Sequence, residues 1–328
     1  MNNQSPQSDT PPVCDYEGSD YRTRFWENEN RDYEDLAERI AMRGLLPAPQ
    51  IGAPQIGAGK RTRLLEIGTG FGRLVDLYRD YDHVVLLDYS KSLLHEARQR
   101  WGDVDPETGT HYTYAAADVY RLPLRDRVVD TTCMVRVMHH MADVPGALRQ
   151  IRRVIRPGGA FVLEYASKLH AKSVARRLLG RQDWSPYDLE PVEFVELNFD
   201  FHPRWMRARL AEAGFSIQRT RAVSTLRVPL LKRIVPAPLL AAADGALQWT
   251  GQCFPFAPSV FVRAVADAKA GESNPEPSAA ELDPDPTSIF CCPACRNENL
   301  RPADAGLHCP ACDARWPIQD GIYVFKDL

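Results

Sequence analysis

Leu64-Leu65-Glu66-Ile67-Gly68-Thr69-Gly70-Phe71-Gly72 carries an apolar run straight into three glycines at alternate positions. Glycine belongs where a backbone must approach a ligand with no Cβ in the way. The apolar run reads as a short strand over 63–67, the glycines as a tight turn over 68–72, and residues 73–79 as the opening of a helix whose first N–H groups are unpaired. Outward from this point the pattern repeats. Residues 83–87 read as a second strand ending at Asp88, 90–101 as a helix with Ser90 as N-cap, 112–116 as a third strand leading to Asp118, and 128–135 as a fourth strand. A helix over 144–155, stopped by Pro157-Gly158-Gly159, precedes a fifth strand over 160–165. After an interruption at 168–203, a helix over 204–213 capped by Gly214 leads to a strand over 215–223. Residues 259–265 read as the last strand. Strands alternating with helices of this length imply an α/β fold, a parallel sheet with helices on both faces.

The glycine turn departs from the dinucleotide fingerprint GxGxxG. Its third glycine comes one position early, and Arg73 stands where that glycine belongs. Glu66, just before the turn, repels a pyrophosphate and suits a ligand with cationic groups. S-adenosylmethionine, with its sulfonium and ammonium, fits that charge. Asp88 follows the turn by about 20 residues, where a carboxylate accepts both ribose hydroxyls; alone, it is also a plain helix cap. Asp118 is placed to accept the adenine amino group, with Val119 beside it for a backbone contact. The turn, Asp88 and Asp118 stand at the carboxyl ends of consecutive strands, where open α/β sheets bind ligands.

Glu66-Ile-Gly-Thr-Gly-Phe-Gly72, Asp88, Asp118, Val137-Met-His-His-Met141 and Arg153-Val-Ile-Arg-Pro-Gly-Gly159 resemble class I S-adenosylmethionine-dependent methyltransferases, within them the broad group containing the ubiquinone and menaquinone enzymes. The resemblance covers residues 64–266. It implies a Rossmann-like, seven-stranded methyltransferase sheet whose last strand is antiparallel. It also implies cofactor contacts at Glu66, Gly68, Gly70, Asp88 and Asp118 and at the fourth-strand end near Arg136, with Thr69, Gly72, Tyr89 and Val119 adjoining them.

Methyl transfer from a sulfonium is an in-line displacement in which positioning does much of the work. A general base is needed only if the acceptor must lose a proton. The Asn/Asp-Pro-Pro-Tyr/Phe motif of amide and exocyclic nitrogen methylation should follow the fourth strand. Arg136-Val137-Met138-His139 stands there instead, which argues against that class. Cys133 lies inside the fourth strand and reads as buried rather than nucleophilic. His139, His140 and Tyr165 are weak candidates for a base, with loop packing as the plainer alternative. Trp184, Tyr187 and His202 fall in the 168–203 insert, and Tyr16, Tyr21, Phe25 and Trp26 form either a lid or ordinary helix packing.

Cys292-Pro-Ala-Cys295 and Cys309-Pro-Ala-Cys312 form two knuckles separated by thirteen residues. Each CxxC turn brings two thiolates to one side, and four suit tetrahedral zinc with no open position, hence a structural ion. Single-sided knuckles favour Cys292 over its neighbour Cys291. With the tail Arg315-Trp-Pro-Ile-Gln-Asp-Gly-Ile-Tyr-Val-Phe325, the knuckles resemble the small zinc proteins that activate tRNA, rRNA and release-factor methyltransferases. That resemblance implies a hydrophobic strand near 322–325 docking on the catalytic sheet edge.

The chain is 328 residues, of ordinary globular composition with net charge −3, so no global field draws it to nucleic acid or anionic lipid. Charge is nonetheless uneven: 149–181 holds nine Lys/Arg against one acid, 204–233 eight against one, and 15–35 eight acids against three Arg. Solvated helix faces explain this most simply; a polyanion-facing surface is the alternative. No signal sequence and no membrane span is read, and CxxC clusters point to metal in a reducing compartment, so the expected location is cytoplasmic. The expected organisation is a disordered N-terminus at 1–15, a methyltransferase domain at 16–266 with N-terminal lid helices at 16–46 and inserts at 168–203 and 228–258, a linker at 267–288, and a zinc ribbon at 289–328. The expected function is methyl transfer to a small-molecule or lipid-precursor acceptor. The alternative is an RNA or translation-factor methyltransferase with its zinc activator fused in cis, and a third reading is a non-catalytic scaffold. Oligomeric state is not legible.

Overall fold

The computed structural model describes residues 11–19, 22–23, 26, 31–47, 63–268 and 286–326. The expectation of disorder at 1–15 falls outside the described residues for 1–10, whereas 11–15 are described, with Val13 packed against the core; the Pro/Gly linker at 48–59, most of the 267–288 linker, and the roles for Tyr21 and Phe25 fall outside the described residues. Helix α1 (Asp32–Leu45) opens with Asp32, Glu34 and Asp35 in its first turn, where acids complement the positive helix end. The chain then follows the expected alternation: β1 (Arg63–Ile67), β2 (His83–Asp88), α2 (Lys91–Trp101), β3 (His111–Ala116), β4 (Val129–Met134), α3 (Val144–Val154) and β5 (Ile155–Ala166). Ser90 caps α2 as expected, accepting from Leu93 N, and Asp143 caps α3 through Gly146 N. After β5 come α4 (Ala171–Leu178), the hairpin β6 (Val192–Val195) and β7 (Asn198–Asp200), α5 (Pro203–Glu212), β8 (Phe215–Val223), α6 (Pro229–Ile234), α7 (Ala237–Leu247) and β9 (Ser259–Ala266). The C-terminal segment adds β10 (Arg301–Ala303), β11 (Gly306–His308), β12 (Arg315–Gln319) and β13 (Ile322–Val324).

The central strands lie in the order β3-β2-β1-β4-β5-β9-β8. All are parallel except β9, which runs antiparallel between β5 and β8. That is the Rossmann-like methyltransferase sheet. Strand alternation sends Leu65, Ile67, Leu163 and Tyr165 into one core with α3 and α5, and Leu64, Leu86 and Val162 into the other with α1, α2 and α7.

Three local expectations are corrected. Residues 73–79 do not open an α-helix; the turn continues into a 3-10 helix at Val75–Tyr78, because Arg73 and Tyr78 are drawn into side-chain bonds with α1 and Glu66. The expected helix over 16–46 does not begin at Tyr16: a turn stands at 17–18, the described residues 22, 23 and 26 are helical, and α1 runs from Asp32. Pro157-Gly158-Gly159 does not form a stop between helix and strand. Helix α3 already ends at Val154, and the three residues lie within β5, where the β4–β5 register shifts. A Cβ on Gly159 would sit 2.8 Å from Asp130 O, so only glycine lets the strands close there.

The C-terminal strands extend the same sheet. Ile322, Tyr323 and Val324 pair in parallel with Tyr114, Ala115 and Ala116 of β3, and Phe325 N donates to Ala116 O at 2.7 Å. A second seam joins residues 289–291 to the loop after Asp118: Arg125 N donates to Ile289 O and Cys291 N to Pro123 O, both at 2.9 Å. Phe290 packs between Tyr323 and Phe325 at centroid distances of 5.0 and 4.9 Å. The pairing covers the β3 edge, which would otherwise present unpaired backbone groups.

Candidate cofactor site and cysteine cluster

At the end of β1, Gly68 N and Thr69 N both donate to Leu87 O, at 2.7 and 3.1 Å, which folds the turn back over β2. Gly68 has φ +76°, and a Cβ there would lie 2.0 Å from Val137 Cγ2. The carbonyl of Gly72 accepts from Trp101 Nε1 at 2.8 Å. The turn and β2 are tied by Asp88, whose carboxylate accepts from Gly70 N at 2.7 Å and Ser90 N at 2.8 Å. Burial pushes the Asp88 carboxyl up to about 6, against the pull of those two N–H groups and of Lys326.

Glu66 is 4% exposed and faces the α1 side of the sheet. Its Oε1 accepts from Tyr78 OH at 2.8 Å, while Oε2 is buried with no partner among the described residues. Burial pushes this carboxyl up to about 7, with Tyr78, Thr69 and Arg73 opposing. The turn lines a cleft with Glu66, Arg73, Trp26 and Arg136. Arg73 and Arg136 lie 4.0 and 5.0 Å from the Trp26 ring centroid, and both pair with Glu38, a fully buried acid of α1. Arg136 holds φ +59°, a strained region for a non-glycine residue, and its N donates to Glu164 Oε2 at 2.8 Å. Glu164 is itself held by Ser259 Oγ at 2.6 Å.

Asp118 caps a short 3-10 helix, its Oδ1 accepting from Tyr120 N at 2.9 Å; burial raises its pKa, and Val119 is buried beside it. Glu66, Gly68, Thr69, Gly70, Gly72, Asp88, Tyr89, Asp118 and Arg136 therefore gather at the carboxyl ends of β1 to β4.

The weak base candidates separate. His140 Nδ1 bonds Leu197 O at 2.8 Å and its Nε2 meets Tyr16 OH at 3.1 Å, so both ring nitrogens are engaged. His139 lies against it in a tilted pair, ring centroids 4.0 Å apart, and its Nδ1 is buried without a partner among the described residues. Burial, with His140 and Arg136 as lesser contributors, holds His139 well below the usual histidine range. Tyr165 lies on the sheet face opposite Glu66, near Arg207. His202 caps α5 through Arg204 N, and Cys133 is fully buried beside Glu66, its thiol pushed well above the usual range.

Two participants escaped sequence reasoning. Lys326 sits 4.3 Å from the Tyr89 ring centroid and 3.8 Å from Glu17. Glu17 in turn accepts from Lys91 N at 2.7 Å and Ser92 N at 3.1 Å at the start of α2. The N-terminal segment and the C-terminal tail thus meet beside Asp88. No local pattern marks either residue, because the meeting depends on β13 pairing with β3.

The Sγ atoms of Cys292, Cys295, Cys309 and Cys312 lie within 4.8 Å of one another, with Cys292–Cys312 at 3.6 Å and Cys295–Cys309 at 3.5 Å. Tetrahedral Zn–S bonds of about 2.3 Å place sulfurs about 3.8 Å apart, so the cluster fits a small zinc-binding module. Cys291 points away, its Sγ donating to Leu124 O at 3.2 Å, and His308 pairs with Asp313.

Comparison with known proteins places these features in context. The ubiquinone/menaquinone biosynthesis C-methyltransferase UbiE of Vibrio parahaemolyticus is 28% identical over 173 residues, which cover 48% of this chain and 66% of that one. The chain therefore spans just under two thirds of the length of this relative. The 27-O-demethylrifamycin SV methyltransferase of Amycolatopsis mediterranei is 29% identical over 150 residues, covering 44% of this chain and 51% of the relative. Among solved structures, an S-adenosylmethionine-dependent methyltransferase from Mesorhizobium loti aligns with a TM-score of 0.48 at 21% identity, over 70% of this chain and 97% of the other. A chain of the complex between the Haloferax volcanii Trm112 methyltransferase activator and a methyltransferase aligns with 0.47 at 18%, over 74% and 96%. Residues 65–163, which include the glycine turn, Asp88 and Asp118, match the profile of the methyltransferase domain family.

Proposed function

We propose that the chain is an S-adenosylmethionine-dependent methyltransferase acting on a small-molecule or lipid-precursor acceptor, with a structural zinc ion on Cys292, Cys295, Cys309 and Cys312. The observation that carries this is Glu66 Oε2, an unpartnered buried carboxylate oxygen beside a glycine turn. A cationic ligand satisfies it; a phosphate-bearing one does not. Asp88 is held for a ribose diol and Asp118 for an adenine amino group, each rigidly oriented by backbone N–H donors. When bound, S-adenosylmethionine supplies a methyl group already activated on sulfonium. The residues of this chain orient it, and the Arg73–Trp26–Arg136 stack walls the cleft. Should the acceptor carry a proton to lose, His139 is the proposed base, as its neutral Nδ1 is uncommitted.

Both curated relatives carry names from small-molecule chemistry, one a C-methyltransferase of ubiquinone/menaquinone biosynthesis and one a methyltransferase of a demethylated rifamycin, which supports the acceptor class without choosing the atom. The missing nitrogen-methylation motif after β4 agrees. Free cysteines at metal-ligand spacing support a reducing, cytoplasmic setting, and no described helix is long and apolar enough to cross a membrane. The proposed organisation keeps the methyltransferase domain at 16–266 and the zinc module at 289–328. An RNA or translation-factor substrate is the second reading, favoured by the cysteine module pairing with β3 in the manner expected of methyltransferase-activator zinc proteins. Transfer of labelled methyl from S-adenosylmethionine into cell extract, divided into organic-soluble, RNA and protein fractions, decides between them. Label in the organic fraction supports the first reading, and label in RNA or protein the second. No transfer in any fraction, together with no calorimetric affinity for S-adenosylmethionine, overturns both.

A further inference from the structure

Residues 13–19 cross the carboxyl end of the sheet. Val13 packs against the core on the α3 face. Glu17 accepts from Lys91 N at 2.7 Å and Ser92 N at 3.1 Å, and Gly18 N donates to Ser92 Oγ at 3.0 Å, which fixes this end beside β2. Tyr16 OH meets His140 Nε2 at 3.1 Å, in the 3-10 turn that follows β4. Strand β1 lies between β2 and β4. Two strand spacings come to about 10 Å, so Tyr16 and Glu17 together bridge the end of β1, where the glycine turn stands. A ligand seated on that turn and on Asp88 lies beneath them.

His140 carries the contact further. Its Nδ1 lies 2.8 Å from Leu197 O. A carbonyl only accepts, so Nδ1 holds the proton and Nε2 is left to accept from Tyr16 OH. Burial lowers the pKa of His140, which keeps the ring in the neutral state this relay needs. Leu197 stands in the turn of the β6–β7 hairpin at φ +52°, a sparsely populated conformation for a residue with a side chain. The hairpin has need of the anchor. Its strands pair with each other and with no other described strand, and a two-stranded hairpin is marginal in water. At its foot Phe201 N donates to Ala166 O at 2.9 Å, so it stands over the end of β5, with Leu197 against the His139–His140 pair.

We propose that residues 13–19 form a strap that closes over the bound cofactor, and that Tyr16 and His140 are positioning residues that pass this closure to the β6–β7 hairpin. The hairpin then sets on the acceptor side only once the cofactor is in place. This rests on the methyltransferase reading and adds an order of binding to it.

The test is hydrogen–deuterium exchange of the full chain, read by mass spectrometry with and without S-adenosylhomocysteine, the demethylated cofactor. Expected is slowed exchange over both 11–19 and 192–200 on binding. Tyr16→Phe keeps the ring and removes the O–H. It should speed dissociation of S-adenosylhomocysteine about three- to tenfold, the effect of one hydrogen bond, and abolish the slowed exchange over 192–200. Glu17→Gln, at the other end of the strap, should also speed dissociation. Neither side chain is buried, so the ligand-free melting temperatures should match the parent. Two results overturn the proposal and leave the methyltransferase reading intact: a parent that binds the probe without slowed exchange over 192–200, or a Tyr16→Phe variant that matches the parent in both dissociation rate and hairpin exchange. Absent calorimetric affinity of the parent for the probe overturns the cofactor reading, and the strap with it.

Discussion

Replacing Glu66 by Gln removes a charge that the ligand-free fold is poorly built to hold. The carboxyl titrates near 7 in the folded chain against 4.5 ordinarily, because burial outweighs the bond from Tyr78. The native state therefore binds the extra proton between those values. Stability falls as pH rises from 4.5 to 7, and the penalty is complete above 7. A gap of about 2.5 pH units at roughly 1.4 kcal/mol each makes the cost about 3 kcal/mol at pH 8. Gln keeps the acceptor for Tyr78 OH but buries an unpartnered amide, which returns about 1–2 kcal/mol. The ligand-free Glu66→Gln chain should therefore melt a few degrees above the parent at pH 8, at roughly 2–4 °C per kcal/mol. The difference should vanish or reverse near pH 5, where Glu66 of the parent is already protonated. Affinity for S-adenosylmethionine should move the other way, falling about ten- to a hundredfold with loss of a charged bond. Thermal melts at both pH values and calorimetry at pH 8 measure this. A variant equally destabilised at both pH values, or one that binds the cofactor as well as the parent, would refute the reasoning about Glu66.

Asp88→Ala should cost at least about tenfold in cofactor affinity, since it unties Gly70 and Ser90 as well as removing the diol acceptor; unchanged calorimetric affinity would move the site elsewhere. Lys326→Met should weaken the same affinity about two- to fivefold, the scale of a partly exposed ion pair, and shorten the survival of residues 11–19 under limited proteolysis. Cys309→Ser should release bound zinc, measured by elemental analysis, and lower the main melting transition too, because β13 pairs with β3; a shift confined to a separate minor transition would mean the two parts are independent. Gly68→Ala should cost at least about 2–3 kcal/mol in denaturant melts, from its positive φ and its clash with Val137. Gly109→Ala, with similar φ and open space around it, should cost only about 1 kcal/mol.

The strands were legible because their apolar runs have the length and spacing of buried parallel strands, and β1 and β8 fall on the expected residues. The glycine turn, Asp88, Asp118 and the four cysteines were legible because their chemistry is written in short local motifs. The 3-10 turn after Gly72 was not, since α1 and Glu66 draw Arg73 and Tyr78 away from helix through contacts far apart in sequence. Pro157-Gly158-Gly159 reads alike as a stop or a bulge until β4 is set beside it. The sequence by itself determined the alternation of strands and helices from β1 to β5, the carboxylates at the strand ends and the thiolates of the cysteine cluster, all properties of neighbours within a few residues, while α4, β6, β7, α6 and α7 in the inserts went unread. Only the tertiary structure decided that Glu38 braces Arg73 and Arg136, that Lys326 lies beside Tyr89 and that the last strand extends the sheet. Those contacts join segments whose separation along the chain carries no periodic or local signal, and packing alone brings them together.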